Sequence, residues 1–147
     1  MYRKILVPTD GSRLSDRAVK EATRLAQVLN AKLVLFHALP EMQQPIYSEG
    51  SSTVLASRQR VRKAAAARAR KILAAAAKKA ESLGLSATKD YAAGASPHDA
   101  IVVAAQRHHC DLIVMASHGR RGLSKFLLGS ETQAVLPRAR VPVLVVR

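Results

Sequence analysis

Apolar residues gather along the chain in two patterns. The first is a set of short contiguous runs: Ile5-Leu6-Val7, Leu33-Val34-Leu35-Phe36 and Leu112-Ile113-Val114-Met115-Ala116. Runs of this length, bounded by turn formers, read as strands buried on both faces of a parallel sheet. Residues 86–91 form a weaker strand of the same kind, and residues 141–146, from Val141 to Val146, form a fifth. Pro8 and Asp10-Gly11 stop the first strand. The second pattern has helical spacing. Leu14, Ala18, Ala22, Leu25, Ala26 and Leu29 make one apolar face, with Ser12 placed to cap it and Asn30 to end it. Residues 53–83 are rich in Ala, Arg and Lys and predict a long helix ended by Gly84. Ser96, Pro97 and Asp99 open a third helix in a capping-box-like arrangement, with Ile101, Val102, Ala105 and His108 on its inner stripe. A short helix over residues 130–136 stops before Pro137.

Strand and helix therefore alternate from one end to the other. That order predicts an α/β fold, a mainly parallel five-stranded sheet with helices on both faces. At 147 residues one domain, residues 1–147, is expected. In such sheets ligands sit outside the carboxyl ends of the strands, where strand order reverses.

The stretch after the fourth strand carries the clearest chemical signal. A polar loop holds Gly119 and Gly122 among Arg120, Arg121 and Lys125, and closes with Gly129-Ser130 at a helix start. Glycines let backbone N–H groups approach an anion closely, and Ser130 adds a hydroxyl. The loop reads as a phosphate cradle; the plainer alternative is a βα connection with no ligand. It is neither a Walker A loop nor a dinucleotide G-x-G-x-x-G. Asp10, just past the first strand, shares the crevice if the first and fourth strands are neighbours.

Composition narrows the remaining choices. The net charge of +14 favours anionic partners. Aromatics at 3% leave the core to aliphatic residues. The single Cys110 allows no internal disulfide, and no apolar run approaches the roughly 20 residues that span a bilayer. A cytoplasmic protein with no membrane association is expected. His108-His109-Cys110-Asp111 is not read as a metal site, because adjacent residues point apart and no further ligand stands at a recognised spacing. Cys110 is expected to be a small buried residue, and His98 a solvated one. No Ser-His-Asp or Cys-His set marks a nucleophile.

The long helix holds Arg58, Arg60, Arg62, Lys63, Arg68, Arg70, Lys71, Lys78 and Lys79, and no acidic residue lies between Glu49 and Glu81. The reading preferred here is a solvated basic face with Ala, Ile and Leu packed inward. Without aromatics or a base-reading motif, no specific nucleic acid partner is expected. If the face is only solvated, affinity for DNA or RNA should be negligible near physiological salt. The alternative is nucleic-acid or anionic-membrane attraction, a weak, salt-sensitive binding to polyanions whose log K falls with log salt by about 0.9 per phosphate contacted on duplex DNA.

Several of these segments together resemble the universal stress protein family over essentially the whole chain. They are Lys4-Ile5-Leu6-Val7-Pro8-Thr9-Asp10-Gly11-Ser12, Phe36-His37-Ala38, Gly94-Ala95-Ser96-Pro97 and Val141 to Val146. The family's nucleotide-binding motif, G-x2-G-x9-G-S/T, is matched in spacing by Ala116, Gly119, Gly129 and Ser130, with alanine in place of the first glycine. The resemblance implies a Rossmann-like sheet of order 3-2-1-4-5. It also implies a homodimer through the fifth strands, and ATP with Mg²⁺ bridging its phosphates. Carried over by position, Pro8, Thr9 and Asp10 line the adenosine end and Ala38 touches the base. Met115 and Ala116 lie under the nucleoside, and Gly119, Gly129, Ser130 and Thr132 hold the phosphates. The implied role is a stress sensor or regulator, with at most slow ATP hydrolysis, since no general base is visible. Two departures favour an alternative, a nucleotide-free interaction protein working through its dimer surface or basic helix. Ala116 adds a methyl, and Glu131 puts a carboxylate beside Ser130.

Overall fold

The computed structural model describes residues 1–40, 52–119 and 128–147. Among these residues five strands alternate with four helices: β1 (Lys4–Pro8), α1 (Arg13–Leu29), β2 (Lys32–Ala38), α2 (Ser52–Ser82), β3 (Ala87–Ala92), α3 (Pro97–Arg107), β4 (Leu112–Ala116), α4 (Ser130–Val135) and β5 (Val143–Val146). All strand pairs are parallel, in the order β3-β2-β1-β4-β5. This is the expected Rossmann-like sheet.

Alternate residues of each central strand enter different cores. Ile5, Val7, Leu33, Leu35, Leu112 and Val114 pack with Val19, Ala22 and Ala26 of α1 and with Leu73, Ala76 and Ala80 of α2. Leu6, Val34, Phe36, Ile113 and Met115 pack on the other face with Ala100, Ile101 and Ala104 of α3 and Val135 of α4. Burial on both faces is why these strands read as unbroken apolar runs.

Local chemistry fixes the helix ends. The Ser12 hydroxyl accepts from the Ser15 N–H at 3.2 Å. Asn30 ends α1 in the left-handed region at φ 53°, which asparagine tolerates better than most residues. Ser96 accepts from the Asp99 N–H at 3.2 Å, and its hydroxyl reaches the Asp99 carboxylate at 2.7 Å. The inner stripe of α3 is Ala100, Ile101, Ala104 and Ala105. His108 is not part of it: it terminates the helix and meets the Asp90 carboxylate at 2.7 Å. β5 starts at Val143 rather than 141. Pro142 has no N–H to offer β4, though its carbonyl accepts from Ile113 at 3.0 Å.

The long helix departs from expectation along half its length. Its buried residues are Ala69, Leu73, Ala76, Ala77 and Ala80, and none precedes Ala69. A helix of 31 residues is about 46 Å long, whereas strands of four to seven residues reach at most about 24 Å. A helix joining parallel strands runs antiparallel to them. The amino-terminal half of α2 thus overhangs the carboxyl edge of the sheet, and only the other half packs inward.

Candidate functional site

The sheet opens where β1 and β4 meet. Their ladder pairs Ile5 with Leu112 and Leu6 with Ile113, and no further pair follows. On the outer sides pairing continues to the strand ends, Pro8 with Phe36 and Ala116 with Val146. The crevice therefore lies between the carboxyl ends of β1 and β4. At this point chain order reverses, since β2 follows β1 on one side and β4 lies on the other.

The β1 side is held by hydrogen bonds. The Thr9 N–H donates to Phe36 O at 2.8 Å, and its carbonyl meets His37 Nδ1 at 2.8 Å. Its buried hydroxyl pairs with Ser15 Oγ at 3.0 Å and accepts from the Gly11 N–H at 3.2 Å. The Asp10 Oδ1 accepts from the Ser12 N–H at 2.9 Å. Gly11 turns the chain at φ 74°, where a side chain would be strained. Pro8 ends β1, and Ala38 lies at the end of the neighbouring β2.

The β4 side closes on Ser117. Its N–H donates to Val146 O at 2.7 Å, and its carbonyl accepts from the Gly129 N–H at 2.7 Å. A β-carbon on residue 129 would lie 3.2 Å from both Ser117 O and His118 Cα. Those are backbone atoms, so a side chain there would push the two loop ends apart by a few tenths of an ångström. On residue 119 a β-carbon would lie 2.7 Å from Asp10 Oδ2. The carboxylate after β1 thus rests against the glycine after β4.

Thr132 is buried, and its hydroxyl donates to Ala116 O at 2.9 Å. That bond ties α4 to the end of β4. Met115 packs into the core on the α3 side. Ala116 is buried within β4, and its φ is not positive, so alanine sits there without backbone strain. Glu131 Oε2 is held by His98 Nδ1 at 3.0 Å, which brackets the carboxylate between α4 and α3. His98 is accordingly partnered rather than merely solvated. His118 Nδ1 lies 3.0 Å from Ser117 Oγ, while its buried Nε2 has no partner among the described residues. Arg120, Arg121, Gly122 and Lys125 lie outside the described residues.

The sheet thus brings Thr9, Asp10, Ala116, Gly119, Gly129 and Thr132 to one end of the β1–β4 junction, with Ser130 opening α4 beside them. His37 and Ser117 shape the same place and were not singled out from sequence. Their signal, a polar residue inside or just after an apolar run, is too common to mark a site. Elsewhere, His108 faces Asp90, His109 is exposed and Cys110 is buried. Burial pushes the Cys110 thiol up to about 11, so at neutral pH it is protonated and a poor nucleophile. No cluster of metal ligands occurs among the described residues, and no described helix is long and apolar enough to cross a membrane.

The chain matches the universal stress protein family over residues 1–147. Universal stress protein MJ0577 of Methanocaldococcus jannaschii is 30% identical over 156 residues, covering 100% of this chain and 96% of its own. The solved structure of MJ0577 superimposes with a TM-score of 0.83 at 29% identity, covering 99% of this chain and 96% of that one. A universal stress protein solved in complex with cAMP superimposes with a TM-score of 0.73 at 29% identity, covering 99% of this chain and 97% of that one. With the family matched from end to end and the sheet order agreeing, the chain belongs to the universal stress protein family.

Proposed function

We propose that this protein binds ATP, with Mg²⁺ on its phosphates, in the crevice between β1 and β4, and acts as a homodimeric stress sensor or regulator in the cytoplasm. The observation that carries the reading is the end of the β1–β4 ladder at Leu6 and Ile113, with Asp10 against Gly119 just beyond it. The related protein bound to cAMP supports an adenine nucleotide as the ligand class.

In this reading Asp10 accepts from the ribose hydroxyls, and Pro8, Thr9 and Ala38 flank the adenosine. Met115 and Ala116 form the floor beneath it. Gly119 and Gly129 let the phosphates approach the backbone, and Ser130 donates its hydroxyl. Thr132 contributes through the backbone, since its hydroxyl is already engaged by Ala116 O. Glu131 is held by His98, which lessens its repulsion of a phosphate. Among the described residues no side chain stands as a general base in the crevice, and the role proposed is binding with at most slow hydrolysis.

Thermal unfolding with added nucleotide tests this. ATP with Mg²⁺ at 100 times its Kd should stabilise the fold by about 2.7 kcal/mol. The same shift with every anion, inorganic triphosphate included, would argue for a nonspecific charge effect instead.

A further inference from the structure

Beyond nucleotide binding, we propose that the overhanging part of α2, residues 55–68, binds the phosphate backbone of duplex DNA without reading its bases. Packing rules out a core role for this stretch. The inward stripe of α2, Ala69, Leu73, Ala76 and Ala80, would continue upward through Arg62 and Arg58 at 100° per residue. Guanidinium groups replace the alanines and leucine where the sheet ends. The stretch holds Arg58, Arg60, Arg62, Lys63 and Arg68 and no acidic residue. None of the five forms an ion pair among the described residues. In the packed half, by contrast, Lys79 pairs with Asp16 at 2.8 Å and Arg70 donates to the Tyr91 hydroxyl at 3.0 Å.

The placement of these charges selects the partner. Arg58 and Arg62 share one side of the helix, about 40° apart, while Arg60 lies about 160° from each. A helix about 10–12 Å across, with Arg60, Arg62, Lys63 and Arg68 exposed and Arg58 half-buried, fits a major groove about 12 Å wide, with phosphates on both walls. Cations on opposite sides suit two walls; a membrane would engage one side only. Leu55 and Val61, both more than half exposed, stand about 120° apart with Arg58 between them, so no continuous apolar face is available for a bilayer. The stretch has no aromatic residue to stack on single-stranded bases. The major groove of duplex RNA is too deep and narrow for this fit. α2 covers the β2–β3 end of the sheet, so a dimer formed through β5 would leave both copies of the helix accessible.

Fluorescence anisotropy of the full chain with a labelled 24-base-pair DNA tests the proposal, alongside duplex RNA of equal length and anionic phosphatidylserine vesicles. Five phosphate contacts give a log–log salt slope of about −4.5, a loss of about 500-fold between 50 and 200 mM salt. Arg58→Gln with Arg62→Gln should reduce the slope to about −2.7 and that loss to about 40-fold. Lys71→Gln with Lys78→Gln, an equal change in net charge on the packed half, should leave the slope nearly unchanged. Circular dichroism checks that each variant keeps its helix. No DNA binding at 50 mM salt, equal slopes for both double variants, or preference for vesicles or RNA would overturn the proposal.

Discussion

Asp10 Oδ2 occupies the space beside Gly119, 2.7 Å from where a β-carbon on that residue would lie. Residues 109 positions apart in sequence thus meet across the opening between β1 and β4. A methyl at 119 must displace the carboxylate, which can swing about its own side-chain torsions. Gly119→Ala should therefore change stability by less than about 1 kcal/mol and weaken ATP about tenfold, or 1.4 kcal/mol. Calorimetric titration and thermal melting of the same sample separate the two effects. A loss of stability with unchanged affinity would remove Asp10 from the site.

Thr132 offers a complementary case. Its buried hydroxyl is committed to Ala116 O at 2.9 Å. Thr132→Val keeps the shape, deletes the donor and leaves a buried carbonyl short of a partner, at a cost of about 1–3 kcal/mol. Denaturant unfolding should register that cost, while affinity for ATP changes less than about threefold. A tenfold weaker Kd with an unchanged unfolding midpoint would mean that the hydroxyl serves the ligand instead.

The strands were legible because each core run is apolar on both faces, as in Leu33-Val34-Leu35-Phe36 and Leu112 to Ala116. Ser12, Asn30 and Ser96 marked helix ends through chemistry that acts within four residues. The meeting of the segments after β1 and β4 was legible through Asp10 and the spacing of Gly119 and Gly129. What local pattern could not convey was anything set by distant pairing. His37 meets Thr9 from 28 residues away, and Thr132 reaches Ala116 from 16. The overhang of α2 was hidden for a similar reason. Alanine and arginine announce a helix equally well on either side of Ala69, and only the length of the strands decides where packing stops.

At the opposite edge of the sheet from the crevice, Asp111 anchors the chain start. Its carboxylate accepts from the Arg3 N–H at 2.8 Å and the Lys4 N–H at 2.9 Å. Burial acts to raise its pKa, but these backbone hydrogen bonds outweigh burial and hold it below the ordinary 3.8. With the folded value depressed, the stabilisation is complete above 3.8 and is lost as pH falls through the folded value. Asp111→Asn should destabilise the protein by about 1 kcal/mol at pH 7 and flatten the melting profile below pH 4. Unchanged acid sensitivity in the variant would assign that loss to other carboxylates.

The proposed homodimer uses the β5 edge. Among the described residues Val143–Val146 pairs with β4 on one side only, and Leu144 is 44% exposed. An uncharged edge strand of this kind can pair with a second copy about a two-fold axis. Val143→Lys should shift the mass measured by light scattering from dimer toward monomer at micromolar concentrations. A monomeric mass for the unaltered protein would refute the dimer itself.

Isothermal titration of the purified protein with ATP and Mg²⁺ tests the nucleotide site most directly. At about 100 μM protein, a Kd in the micromolar range, near −8 kcal/mol, should give saturable heat with one site per chain. Gly129→Asp, which places a carboxylate where a β-carbon already meets Ser117 O and His118 Cα at 3.2 Å, should abolish that heat. The absence of heat from the unaltered protein, or equal heat from the Gly129→Asp variant, would contradict ATP binding between β1 and β4.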